Sequence, residues 1–420
     1  MSANNVIGGP TMNLALYRFL ILSLLIPVFS LSLASSSAES IRDKLSKDAS
    51  VASFVDRNGE RIDPDNFEQL DFLKSDSIPN QPKINLTIDI TVSKILDDEI
   101  RAGIQKYSAI GGGGILMDAS TGEIIAISSQ YTSYWNTKWN ADATARFNMI
   151  TEGLYETGST AKLLTIANAY DGGFATAETK LDARKPLKMG KYEIGDYHAT
   201  NRILTVDEAF INSSNIATAR LALKVGTDNQ ANFLNKIGYY QPSEIKYMEV
   251  AQPLYPRQRS RLMTATTAFG HGIAVTPLQS VTAMSALVNG GYLVQPSIIK
   301  DLSDRPRTQV ISPETSAYVR HLMEMSVDRG SGMKARVDGI SIGGSTSTAE
   351  KSYNGDYMRD KLLTSFIAVF PIDKPRYVLM TLFDEPQPLP GTHGYATAGW
   401  NAAPVAGNVV KRLMPVLKLD

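Results

Sequence analysis

The chain has 420 residues, 43% of them apolar, and its 42 basic side chains are balanced by 42 acidic ones. This content supports a good core and roughly two or three domains of about 150 residues, while zero net charge offers no support for a nucleic-acid partner. The absence of cysteine excludes disulfide frameworks, zinc–thiolate sites and cysteine nucleophiles.

Near the N-terminus, residues 19–34 read FLILSLLIPVFSLSLA, an uncharged run with Arg18 marking its cytoplasmic side. Counted from Leu14, about 21 residues cross ~30 Å of hydrocarbon if Arg18 lies at the interface. A cytoplasmic tail over 1–13 and a transmembrane anchor over 14–34 are therefore expected. Ser32-Leu33-Ala34 also fits the small-residue pattern of a cleaved signal peptide. Either route exports the remainder. Residues 35–83, polar and weakly periodic, read as a short membrane-proximal stalk or subdomain containing the turn Asp56-Arg57-Asn58-Gly59.

From 84 the pattern changes, and 84–420 reads as one domain. Alternation predicts a strand over 84–90, and an amphipathic stretch predicts a helix over 91–106. Two apolar runs, 114–118 and 123–128, flank a glycine-containing turn and predict a hairpin. A largely helical middle runs from 159 to 287. Strand patterns return at 339–349, 363–370 and 377–383, and a helix over 403–417 closes the chain. Strands at both ends with helices between them predict an α+β fold, its antiparallel sheet assembled from distant segments and flanked by helices.

Ser159-Thr160-Ala161-Lys162 opens an apolar helical stretch that ends at Gly172-Gly173. Near a helix start, free N–H groups favour negative charge at Ser159. Lys162, three residues on, shares its face. Apolar surroundings and a positive helix end lower a lysine pKa, and a neutral Lys162 takes the proton of an attacking serine. The spacing alone recurs about once or twice by chance in a chain this long, and Ser159 also reads as an N-cap. Asn212-Ser213-Ser214-Asn215 precedes a second helical stretch. Its small polar residues read either as caps or as a site in which Ser213 relays a proton and Asn215 holds a substrate amide and Lys162. S-x-x-K followed by Ser-x-Asn and then Lys-Thr-Gly is the pattern of penicillin-binding proteins and β-lactamases. The third element departs from that pattern. In Gly343-Gly344-Ser345-Thr346-Ser347-Thr348-Ala349, Ser345 stands for the lysine and Ser347 for the glycine of Lys-Thr-Gly-Thr-Ala.

Other segments occur in a specific order: DRNG at Asp56, ASTGEIIA at Ala119, YETGSTAK at Tyr155, GHGIAVTPLQ at Gly270, NGGYLVQPSI at Asn289, SFIAVFPIDKPRYVL at Ser365 and TAGWNAAPV at Thr397. From 84 to its end the chain resembles a class B penicillin-binding protein, especially the division-associated transpeptidases. The resemblance implies the penicillin-binding serine-transferase fold, with Ser159 as nucleophile, Lys162 as general base, and Ser213 and Asn215 as proton relay and substrate holder. Ser345, Thr346, Ser347 and Thr348 map to the substrate-aligning strand. It implies attack on a D-Ala–D-Ala amide of a peptidoglycan stem peptide, with no cofactor and no metal. The implied partners are β-lactams, a membrane-embedded glycan-strand polymerase and divisome proteins; the implied location is the bacterial inner membrane, single-pass, with the catalytic domain in the periplasm. The short stretch between anchor and domain departs from the family's longer membrane-proximal module.

A charge-assisted hydrogen bond is worth about 1.5–3 kcal/mol, so loss of the motif lysine predicts roughly ten- to a hundredfold weaker rate or affinity. Ser347 is expected to add a side chain where substrate passes close to the strand. Lys334, Arg336 and Lys351 are candidates for a substitute charge. Two readings follow: a transpeptidase weakened or altered in substrate, and a catalytically silent structural member of a division complex. A soluble β-lactamase-type hydrolase shares the Ser–Lys pair but lacks the anchor, DRNG and TAGW segments. For the anchor, N-terminal sequencing of the membrane fraction is expected to show no processing after Ala34; a mature chain starting at Ser35 would refute it.

Overall fold

The computed structural model describes residues 53–60, 83–132, 147–246, 248–300, 305–353 and 356–419. The expected tail, the anchor and most of the stalk lie outside them. Among the described residues no helix is long and apolar enough to cross a membrane.

The centre is a five-stranded sheet made of β1 (Gly111–Asp118), β2 (Ile124–Tyr131), β3 (Gly343–Tyr353), β4 (Asp356–Phe370) and β5 (Tyr377–Asp384). Their spatial order is β3-β4-β5-β1-β2, with every neighbouring pair antiparallel. The predicted α+β architecture, with a sheet joined from both ends of the domain, is therefore present. Because side chains alternate across a strand, β4 sends Phe366, Ala368 and Phe370 to one core and Ile367 and Val369 to the other. Both faces are covered, which explains why β4 and β5 read as almost continuous apolar runs.

One face packs on α1 (Ile90–Lys106) and the C-terminal helix Ala402–Leu417. Asp89 caps α1 by accepting from the Val92 N–H at 3.0 Å. The DRNG segment docks at this helix start. The Asp56 carboxylate accepts from the Asn58 and Glu60 amides, and the Asn58 side chain donates to Asp89. The preceding strand Ser53–Val55 pairs in parallel with Lys83–Asn85, so this Asn-Gly turn does not close a hairpin between them. The strand expected over 84–90 is correspondingly shorter, since α1 starts at Ile90.

The other face carries the helical part. It includes α2 (Ala161–Asp171), α3 (Val206–Ile211), α4 (Asn215–Val225), the buried α5 (Pro277–Val288) and α6 (Pro313–Arg329). β1 begins three residues before the predicted start, in a run of four glycines. Close packing explains them: a Cβ on Gly112 would fall 2.9 Å from the Phe383 ring, and one on Gly114 would fall 2.8 Å from Leu96. β3 starts at Gly343 rather than 339, because Gly339 lies in a turn at φ +87°.

Candidate active site

Three separated segments converge at the outer strand β3. The first is the turn Gly158–Thr160, a single 3-10 turn that runs directly into α2. Before it, Tyr155–Glu156 pairs with Ala274–Val275. The Glu156 carboxylate accepts from the Gly272 N–H at 2.8 Å and from the Tyr357 hydroxyl at 2.9 Å. Gly158 has φ +50°, and a Cβ on Gly270 would overlap its backbone. This contact accounts physically for the glycines of YETGSTAK and GHGIAVTPLQ: two backbones pass too closely for any side chain.

The second segment is 212–215. Ser214, not Ser213, caps α4, its Oγ accepting from the Ala217 N–H at 3.0 Å. Ser213 takes a left-handed backbone at φ +51°, uncommon for a residue with a side chain. Its hydroxyl lies 3.1 Å from that of Ser159.

Lys162 joins the two. It is 1% exposed, and its Nζ lies 2.6 Å from the Ser213 carbonyl, 2.7 Å from the Ser213 Oγ and 3.2 Å from the Ser159 Oγ. As an ammonium it donates to all three. As a neutral amine it can donate two hydrogens to Ser213 and turn its lone pair to the Ser159 hydroxyl. Burial pushes its pKa down from 10.5 to about 7, against a smaller upward pull from the Asp196 carboxylate. The neutral, proton-accepting form is thus accessible near neutrality.

Asp196 was not singled out from the sequence, where a lone aspartate in a loop gives no periodic signal. It is buried, and it accepts from the Ser214 hydroxyl at 2.7 Å and the Ile216 N–H at 2.9 Å. Asn215 departs from expectation: its side-chain amide donates to the Gly195 carbonyl at 3.2 Å, on the same loop, while the Lys162 amine donates to Ser213 and Ser159 instead.

The third segment is β3. The Ser347 hydroxyl is turned inward, 4% exposed, and donates to the Thr157 carbonyl at 2.8 Å. The side chain expected at this position thus meets the turn that carries Ser159. Ser345, two residues earlier, is also buried. On the opposite face, the Thr346 and Ser331 hydroxyls lie 2.6 Å apart, and the Thr348 hydroxyl accepts from the Ala398 N–H at 3.1 Å. Of the candidate substitute cations, Lys351 binds Asp384 at 2.8 Å and Glu385 at 2.9 Å, and Arg336 donates to the Asp328 carbonyl at 2.7 Å. The exposed Lys334 ammonium lies 4.0 Å over the Trp400 ring, close in sequence to Ser331.

Residues 112–411 match the family model described as the penicillin-binding protein transpeptidase domain. The chain belongs to the class B penicillin-binding protein family. Among curated members, the Probable peptidoglycan D,D-transpeptidase FtsI of Caulobacter vibrioides is 39% identical over 345 residues, covering 79% of this chain and 58% of that protein. Stage V sporulation protein D of Bacillus subtilis is 31% identical over 363 residues, covering 80% and 54% respectively. The chain thus spans little more than half the length of these class B relatives. Among solved structures, the transpeptidase domain of Burkholderia pseudomallei penicillin-binding protein 3 superposes with TM-score 0.70 at 26% identity, covering 80% of this chain and 96% of that one. The fold is also that of penicillin-binding protein 3 from Mycobacterium tuberculosis, with TM-score 0.72 at 22% identity, covering 88% and 96%.

Asp196 is expected to be structurally costly to remove from this class B site. Asp196→Ala leaves a buried hydroxyl and a buried amide without their acceptor, a loss of about 1–3 kcal/mol. The measurement is thermal unfolding; an unchanged melting temperature would contradict this role.

Proposed function

We propose that the chain is a peptidoglycan D,D-transpeptidase, anchored in the bacterial inner membrane with its folded domain in the periplasm. It cross-links stem peptides in division through an acyl-enzyme at Ser159. The observation that carries this reading is the buried Lys162 amine, held within hydrogen-bonding distance of both Ser159 and Ser213. Lys162 takes the Ser159 proton as the hydroxyl attacks the D-Ala–D-Ala carbonyl, and Ser213 passes a proton to the departing D-alanine. An amino group of a neighbouring stem peptide then takes the acyl group and frees Ser159. Asn215, braced on Gly195, orients the substrate amide, while Thr346 and Thr348 align the substrate along β3. The glycan-strand polymerase and divisome proteins are the partners this reading assigns. No cofactor enters the chemistry.

Ser345 favours a second reading, a structural member of the division complex without turnover, because the strand lacks the motif's positive charge. A labelled penicillin separates the two. The expected result is one adduct by intact-protein mass, absent in Ser159→Ala; an adduct that survives this substitution would remove Ser159 from the mechanism.

The pH dependence has a definite sign. A lysine pKa depressed to about 7 leaves the amine protonated below that pH and neutral above it. Acylation should therefore accelerate as pH rises through about 7 and level off beyond. A rate that stays flat through this region would contradict Lys162 as the base.

Ser345→Lys should accelerate acylation roughly ten- to a hundredfold by restoring one charge-assisted contact to the substrate carboxylate. The second-order acylation rates of the two proteins, measured together, test this. Equal rates would assign the carboxylate to another cation, Lys334 first. No adduct in either protein would support the structural reading.

A further inference from the structure

The Thr157 carbonyl, which immediately precedes Gly158 and Ser159, accepts two hydroxyl hydrogen bonds. One comes from Thr160 at 2.6 Å, within the same turn, and the other from Ser347 at 2.8 Å, across the gap to the sheet. The second therefore links β3 to the Ser159 turn. We propose that Ser347 is a positioning residue that clasps the outer strand to this turn and fixes Ser159 against the strand edge; the proposal rests on the reading of Ser159 as the acylated residue.

The surroundings make this contact decisive. Gly270 packs tightly on the backbone of Gly158, so the turn is blocked on that side. On the side of the sheet, a small cavity is lined by Thr157, Thr160, Ser347 and Ser365 among others. The Thr157 hydroxyl is buried without a hydrogen-bond partner. Thr157 is thus held toward β3 through its carbonyl, beside this small cavity. A Cβ on Gly158 would overlap the Ser347 hydroxyl, so a glycine on the turn is what admits the clasp. β3 is an edge strand of the sheet, and an extended peptide adds to such an edge by backbone pairing. The attacking oxygen and the paired peptide must then keep a fixed offset, and a shift of about 1 Å can cost on the order of a hundredfold in rate.

The test compares wild type, Ser347→Ala, Ser347→Gly and Ser347→Thr, reacted with a fluorescent penicillin. Stopped-flow measurements separate the dissociation constant of the initial complex from the limiting acylation rate. Hydrogen exchange of peptides spanning 155–165 is followed in the same proteins without ligand. The Ala and Gly variants should lose roughly three- to tenfold in limiting rate, the effect of one neutral hydrogen bond. Their dissociation constants should stay unchanged, exchange over the turn should speed up, and Thr, which keeps the hydroxyl, should restore both readouts. A loss confined to the dissociation constant would overturn the proposal by making Ser347 a substrate contact. Unchanged rate and exchange in the Ala and Gly variants would also overturn it. If the wild type forms no adduct, the Ser159 reading fails, and exchange alone decides the clasp: faster in Ala and Gly supports it, equal in all four refutes it.

Discussion

The arrangement depends on burying one lysine amine. A charged ammonium at Lys162 loses its hydration and is offered three oxygens in return, all from neutral groups. Dipoles offset only part of a desolvation penalty, so the amine is poised between charge states. The Asp196 carboxylate favours the ammonium, yet it makes its hydrogen bonds to Ser214 and Ile216 rather than to the lysine. A direct ion pair would hold Lys162 charged and unable to take a proton. With no carboxylate nearby, the shift would go further than it does. The near-neutral pKa reflects an anion close enough to be felt but spent on the backbone and a cap.

That balance requires several parts of the chain to meet with little freedom. Ser213 reaches the lysine with both carbonyl and hydroxyl because its backbone is left-handed, a strained state that the adjacent Ser214 cap and Asp196 hold in place. The Ser159 turn is fixed by the glycine-to-glycine approach behind it and by the Glu156 carboxylate, gripped by Gly272 and Tyr357. The sheet carries β3 to the same place, and its two buried faces leave little room to slide. The placement of the hydroxyls thus follows from packing far from them.

Much of this was legible because it is periodic. The Ser159–Lys162 spacing puts both side chains on one helix face, and the apolar runs of β4 and β5 mark strands buried on two sides. What escaped was non-periodic. In Asn212-Ser213-Ser214-Asn215 every residue is a competent cap, so composition alone cannot assign the cap to Ser214 and the contact with Lys162 to Ser213. Asn215 turned to Gly195 because the loop carbonyl lies within reach, which only the folded loop reveals. The start of β1 was missed because glycines argue against strands. Here Phe383 and Leu96 occupy the space where side chains would stand.

The segment Ser345–Thr348 of β3 separates by face. The register is regular from Gly343 to Glu350, so Ser345 and Ser347 point one way and Thr346 and Thr348 the other. Both threonines match the family pattern, and their hydroxyls meet Ser331 and the Ala398 N–H. Both departures lie on the buried face, where Ser347 meets the turn that carries Ser159. The two changes differ in kind. Serine for lysine removes a charge, and no neutral hydroxyl replaces a charge-assisted bond. Serine for glycine adds a donor, and the strand accommodates it because the donor finds the Thr157 carbonyl. On the reading proposed above, the strand gives up a charge at Ser345 and gains a tie to the Ser159 turn at Ser347.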